Sequence, residues 1–423
     1  MLKYAKIIIA LVLFGNVIML SAQAEEALTW QECLVETKRN HPDLISAQEK
    51  LNQAKADKAI NRSSILPQVS TEASEKTSKK GSADEADTYS YSITGKQLIF
   101  DGFKTINAIN AASEKIKSAQ YEYEAISSDV RLDLKTAFIE LLKAQELVDI
   151  TKEIASRRRK NVELVNLRYE AGREHKGSLL NAQANLAQAE FEVSQAKRNI
   201  ELKQRQLIKE LGRENFSPIK VKGQLEVELK EQTKPNLEFL AESNPLLQEF
   251  ITKKEIARFN LKSQQAEFFP EINVNASAGK SDSQWPPEED QWSAGISVSF
   301  PIFEGGSRLA EVSKAKAELN QAQADQISKR DIVVFALEQA WKEWQDAIDK
   351  VTVEQQFLNA AEERARIAQS QYSTGLVSFD DWSIIEDNLV SAKKSLLTAK
   401  ADALIAEASW IQAKGGTLNY VKK

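Results

Sequence analysis

YEAGREHKGS at residues 169–178 and YSTGLVSFDD at residues 372–381 are one kind of break written twice. Each sets a tyrosine three residues before a glycine, adds polar residues after it, and interrupts a long helix-forming stretch. A glycine just past a helix adopts the left-handed conformation that turns the chain, and polar residues beyond it cap the next helix. The break therefore marks the far tip of a rod, where one helix reverses along another.

Working outward, the offset of 203 between Tyr169 and Tyr372 recurs along the chain. It relates Pro42 to Pro245, Leu66-Pro67-Gln68-Val69 to Phe269-Pro270-Glu271-Ile272, and Phe100-Asp101-Gly102 to Phe303-Glu304-Gly305. It also relates Ala137-Phe138 to Ala340-Trp341, Asn185-Leu186 to Asn388-Leu389, and Gly212 to Gly415. One offset kept over the whole chain is a tandem duplication, the feature to establish before any element is assigned.

Between the punctuation marks the helices are long. From Phe103 to Tyr169 there is neither Gly nor Pro, and these 67 residues would reach about 100 Å as a helix. Val130, Leu134, Ala137, Leu141, Ala144, Val148, Ala155, Val162 and Tyr169 follow 3-and-4 spacing, the pattern of a coiled-coil seam. The returning helix carries Leu186, Val193, Ile200 and Leu207 on one line and Ala182, Ala189 and Ala196 on another. Its counterpart has Leu389, Leu396, Ala403 and Trp410 beside Ala392, Ala399 and Ala406. A returning helix from Ser178 to Leu211 spans only roughly 50 Å, so a second helix, Asp43 to Ile65, has to cover the rest of the seam.

Between helices the period drops to two. Tyr89, Tyr91 and Ile93 share one face, as do Trp292, Ala294, Ile296, Val298 and Phe300. Runs of this length and alternation suit tilted strands crossing an outer membrane, apolar towards lipid and polar towards a lumen. Four strands cannot close a barrel, and an open edge in hydrocarbon leaves backbone groups unpaired. The expectation is assembly into a shared barrel, most simply a trimer.

Lys3 and Lys6 precede an apolar run, Ile7 to Leu20, that ends at Ala22-Gln23-Ala24, the pattern of a secretory signal peptide. No cysteine stands at the new N-terminus, so a lipid anchor there is not expected. The expected organisation is a signal peptide over 1–24 and a first repeat over 25–212, with a hairpin at about 67–100, a long helix at about 103–171 and a helix at about 178–211. A linker over 213–240 leads to a second repeat over 241–416, with a hairpin at about 270–303, a long helix at about 305–374 and a helix at about 378–414. A short tail over 417–423 follows. The fold class is thus mainly α with a small β part, namely duplicated antiparallel coiled-coil helices plus four transmembrane strands in each chain.

With formal charge −5 and about −7 once the two leader lysines are removed, the chain is not expected to bind nucleic acid. Cys33, His41 and His175 are too dispersed to hold a metal, and no cofactor is expected. GKS at 279–281 lacks the earlier glycine of a phosphate loop, and no G-x-S-x-G motif occurs. RRRK at 157–160 is expected to be a solvated helix face.

With duplication, hairpins and Tyr-x-x-Gly tips together, the chain resembles the TolC family of outer-membrane efflux and secretion channels over essentially its whole mature length. The resemblance implies no enzyme but a homotrimer in outer-membrane lipid, a 12-stranded β-barrel continued by a periplasmic α-helical barrel. It implies a passive duct for tripartite efflux or type I secretion, with tips that dock a periplasmic adaptor and through it an inner-membrane ABC or RND-type transporter. Tyr169, Gly172, Tyr372 and Gly375 match the tip motifs, and with Leu376 and Val377 they are the expected adaptor contacts. Asp381, with Asp380 beside it, matches an acidic ring at the tunnel constriction. Helix-dipole stabilisation is the structural alternative for both aspartates. Ser178 stands where the family can carry another aspartate, and Val377 where an arginine can lock the closed state. The alternative function is a periplasmic coiled-coil structural or adaptor protein that does not span the membrane.

Overall fold

The computed structural model describes residues 26–79, 81, 85–228 and 233–420. The signal peptide expected over 1–24 lies outside them, as do 229–232 of the linker and 421–423 of the tail. In chain order the elements are β1 (Glu26–Leu28), α1 (Trp30–Asn40), α2 (Pro42–Ser63), β2 (Gln68–Ser78), β3 (Ala86–Phe100), α3 (Lys104–Glu170) and α4 (Lys176–Leu211). There follow β4 (Ile219–Val221), α5 (Leu237–Glu242), α6 (Pro245–Ala266), β5 (Glu271–Asp282), β6 (Asp290–Ser299), α7 (Ser307–Thr374) and α8 (Phe379–Ala413).

The two long helices, α3 with 67 residues and α7 with 68, each span about 100 Å. Shorter helices stack against them in two tiers. Towards the strands the lateral order is α2, α3, α6, α7; towards the tips it is α4, α3, α8, α7. Helix α3 is therefore central in both tiers, while α2 and α4 form one lateral edge and α7 the other.

This placement explains why α3 buries more than its heptad line. Val130, Leu134, Ala137, Leu141, Ala144, Val148 and Ala155 are buried as the spacing predicts, but so are Phe138, Ile139, Leu142, Ile154 and Val165 on flanking positions. A 3.6-residue turn drifts from a strict heptad, so near the tip the stripe passes to Val165 and leaves Tyr169 exposed. In α8 the large line, Leu389, Leu396, Ala403 and Trp410, is buried. In α4 the alanine line, Ala182, Ala189 and Ala196, is buried, which brings α4 close to α3, and of its large line Leu207 is buried.

The largest core lies around the middle of α3. Leu134, Ala137, Leu141, Leu207, Leu211, Ile219 and Leu418 pack there with the short parallel pair β1–β4 and with Cys33. Burial pushes the Cys33 thiol up to about 12, so it is an inert core group.

The four long strands form one antiparallel sheet in the order β2-β3-β5-β6. Directly paired residues share a face. One face carries Ile93, Ala278 and Trp292 in one row and Gly95, Ala276 and Ala294 in the next, with Val274 and Ile296 beyond. The opposite face carries Thr94, Ser277 and Ser293, then Lys96, Asn275 and Gly295. Among the described residues the sheet is open: β2 and β6 each have a ladder on one side only. On the apolar face Trp292 is 81% exposed, and Ile296 and Val298 are exposed with it.

Candidate functional site

Both tips are built by the same backbone device. At the end of α3 the Gly172 N–H donates to the Tyr169 carbonyl (2.9 Å) and the Arg173 N–H to the Arg168 carbonyl (2.8 Å). At the end of α7 Gly375 donates to Tyr372 (3.1 Å) and Leu376 to Gln371 (2.9 Å). These are Schellman pairs, and they need a left-handed residue: φ is +68° at Gly172 and +83° at Gly375. A Cβ on Gly172 would meet nothing, so its backbone angle alone demands glycine.

The returning helices are capped at matching positions by different groups. His175 Nδ1 accepts from the Ser178 N–H (3.2 Å), so α4 starts at Lys176, ahead of the expected Ser178. Ser378 Oγ accepts from the Asp381 N–H (3.1 Å) and donates to the Asp381 carboxylate (2.7 Å). Asp380 and Asp381 are both exposed in the first turn of α8, where the helix dipole favours a negative charge.

The two tips meet through an aromatic cluster. Tyr372 stacks on Trp382 with ring centroids 4.3 Å apart, and Phe379 packs edge-on to both. Val165, Ala182 and Ala368 complete the cluster, so all four helices of the lower tier contribute. Tyr372 is fully buried. Its hydroxyl donates to Glu174 (2.9 Å), while Arg168 donates to the Tyr372 carbonyl (2.7 Å) and lies over its ring at 4.7 Å. Burial, then the Glu174 carboxylate, pushes the Tyr372 phenol well above its ordinary range. Burial raises the Glu174 carboxyl, but hydrogen bonds from Ser178, Tyr372 and the His175 backbone outweigh it, and the net displacement is downward.

Of the residues expected at the adaptor-facing surface, Leu376 is 77% exposed, Tyr169, Gly172 and Gly375 are exposed, and Val377 is half-buried against the aromatic cluster. The Tyr372 side chain is turned inward instead, so it acts on the surface only through the loop it holds. Arg173 occupies in the first tip the place of Leu376 in the second, which makes one tip basic and the other apolar. Residues that the sequence reading passed over are Glu174, Arg168, Phe379 and Trp382. Their pairing depends on two hairpins lying side by side, which no local spacing reports.

Tyr372→Phe keeps the ring stack and removes the bond to Glu174, worth about 1.5 kcal/mol for a bond to a charged group. Cleavage by protease within residues 169–178 is expected to rise about tenfold at neutral pH. Since the Glu174 pKa lies below its ordinary 4.5, the bond is fully present above that pH and is lost as pH falls through the lower folded value. The difference between wild type and Tyr372→Phe should therefore vanish in strong acid, measured by acid-stable protease digestion.

Residues 33–213 and 237–416, one span in each repeat, match the family model described as outer membrane efflux protein. The chain belongs to the outer membrane efflux protein family. It is similar to the outer membrane efflux protein BepC of Brucella suis biovar 1, at 21% identity over 96% of this chain and 89% of BepC. It is similar to the outer membrane protein TolC of Escherichia coli K12, at 24% identity over 91% of this chain and 80% of TolC. The fold matches the crystal structure of VceC from Vibrio cholerae with a TM-score of 0.79 at 20% identity, covering 92% of this chain and 96% of VceC. As a member of this family the chain is an outer-membrane exit duct, with its four long strands in the membrane and its helices continuing from them. The reading as a coiled coil that never enters the membrane falls with that assignment.

Proposed function

We propose that three copies close into one duct, and that the duct is opened and fed from its tips by a periplasmic adaptor joined to an inner-membrane ABC or RND-type transporter. The observation that carries this is the open sheet: among the described residues β2 and β6 are each paired on one side, the sheet has a face fit for lipid, and another copy of the chain can satisfy the backbone groups of both edges. Three sheets of four give a barrel of twelve strands. The helical tiers repeat the logic. Helix α7 at one lateral edge leaves Leu309, Ile327, Phe335 and Phe357 exposed, and α2 and α4 at the other leave Ile60, Leu180, Phe191 and Leu202 exposed. A patch that meets a different patch on the next copy builds a closed ring.

At the tips, Leu376 with Val377 offers the adaptor an apolar anchor, with Tyr169, Gly172 and Gly375 forming the surrounding surface and Tyr372 holding the second loop in shape. Three copies bring Asp381 and Asp380 together at the narrow end, where converging carboxylates concentrate cations. Purified protein should run as a heat-modifiable trimer from the outer-membrane fraction and give stepwise conductance in a planar bilayer. A monomer in mild detergent without conductance would overturn the reading. In the same recordings, Asp381→Asn is expected to weaken divalent-cation block about tenfold; unchanged block removes this side chain from the constriction.

A further inference from the structure

The duplication holds in the sheet residue for residue. In the first hairpin Gln68 pairs with Lys96 and Thr77 with Asp87; in the second Glu271 pairs with Ser299 and Lys280 with Asp290, each 203 residues further on. The same offset relates the two turns that lead from sheet to long helix, Phe100-Asp101-Gly102 and Phe303-Glu304-Gly305. It also relates the two segments that end the neighbouring short helices, 63–66 and 266–269.

Within the chain the first turn is seated on the second of these segments. A Cβ on Gly102 would stand 2.6 Å from the Ala266 carbonyl oxygen and 2.6 Å from the Phe269 Cβ. Gly102 and Ala266 are buried there, and Phe100 is half-buried. The other two pieces, the second turn and the first segment, follow the edge strand β6 and precede the edge strand β2. Both lie open. A Cβ on Gly305 would meet nothing, Phe303 is 84% exposed, and Ser63 and Leu66, the counterparts of Ala266 and Phe269, are exposed as well. Since Gly102 and Gly305 share the left-handed backbone, with φ of +67° and +62°, the two turns differ in what lies beside them.

We propose that the Gly305 turn of each copy seats on the partner's Ser63 and the partner's Leu66, and that β6 pairs with β2 of that partner in the register that β3 and β5 keep within the chain. This rests on the reading of three copies as one duct and adds which residues meet. Strands β3 and β5 pair Gly95 with Ala276, Thr94 with Ser277 and Ile93 with Ala278. Moved by the offset, these become Val298 with the partner's Ala73, Ser297 with the partner's Ser74 and Ile296 with the partner's Glu75. Ala73 and Val298 belong to the apolar face and Ser74 and Ser297 to the polar one, so both faces run on across the seam. A slip of one residue would set apolar against polar and is excluded by the faces. A slip of two, about 6.6 Å, keeps the faces but carries Gly305 off its seat. The turn therefore selects among registers that the strands alone would permit.

Cysteine cross-linking of the full-length protein in detergent tests the register. The Thr94 and Ser277 hydroxyl oxygens lie 3.5 Å apart within the chain, so Ser74→Cys with Ser297→Cys sets two thiols within disulfide reach across each seam. On mild oxidation this pair should give covalently closed trimers about tenfold faster than Ser297→Cys combined with Glu72→Cys or with Lys76→Cys, which lie on the diagonals. An intact trimer in which a diagonal pair reacts faster would overturn the register while leaving the duct. Wild-type protein that is monomeric in the same detergent would overturn both. The seat is tested by Gly305→Ala against Gly306→Ala. Both glycines are left-handed and open in one copy, but the counterpart of Gly306 is Phe103, which carries a side chain at φ +69°. Gly305→Ala is expected to lower trimer yield about tenfold relative to Gly306→Ala. Equal yields would overturn the seat.

Discussion

Trp382→Ala is expected to open the inner end of the molecule while leaving the strands and the central core assembled. Trp382 is buried, stacks on Tyr372 and carries Phe379 edge-on, so its removal empties the centre of a cluster that joins all four tip helices. Truncating a buried tryptophan to alanine costs about 3–5 kcal/mol. The loss falls on the tip, far along α3 from the core around Leu134 and Leu141. Protease cleavage within residues 169–178 and 372–381 should therefore rise by roughly a hundredfold, since each 1.4 kcal/mol is a factor of ten in the open population. The trimer band in the outer-membrane fraction should persist. Cleavage unchanged within about twofold would mean that something other than the aromatic cluster holds the tips.

Ile296→Arg and Ser297→Arg separate the two faces of β6 with neighbouring residues. Ile296 pairs with Val274 on the apolar face, and Ser297 with Asn273 on the polar one. An arginine facing lipid near the middle of a strand costs about 2–4 kcal/mol, and a ring of three copies meets that cost three times. Ile296→Arg should leave little or no trimer in the outer membrane. Ser297→Arg should assemble and narrow the lumen, lowering single-channel conductance. Equal assembly of the two variants would show that the faces have been assigned wrongly.

Much of this architecture is legible in the residues because two of its controls are local. The left-handed glycines at 172 and 375 and the change of period from 3.5 to 2 require no knowledge of what lies across the molecule. The offset of 203 then doubles every observation. What stayed hidden is what depends on lateral order. A heptad line predicts that Ala155 is buried, but not that Arg157 and Arg158 of the same helix turn towards Glu386 and Asp387 of another, because charged side chains read as solvent-facing until a second helix is known to cover them. Tyr372 was legible as a tip residue; that its ring faces inward onto Trp382, ten residues further on, depends on the reversal angle of the second hairpin. The exposed Asp380 and Asp381 show the converse case, since their capping chemistry is local while their convergence would be a property of three chains.

The unequal fates of the two long helices have a consequence for how such a chain can change. Helices α3 and α7 descend from one ancestral segment, yet α3 has helices of its own chain on both sides whereas α7, lying at a lateral edge, leaves Leu309, Ile327, Phe335 and Phe357 exposed. In the proposed ring those side chains meet α2 and α4 of the next copy, so a single gene writes both the key and the keyhole. Any substitution there appears at three seams at once, and its remedy has to arise elsewhere in the same reading frame. Paired drift between the outer stripe of α7 and the outer stripes of α2 and α4 is the evolutionary trace that such a self-made joint should leave.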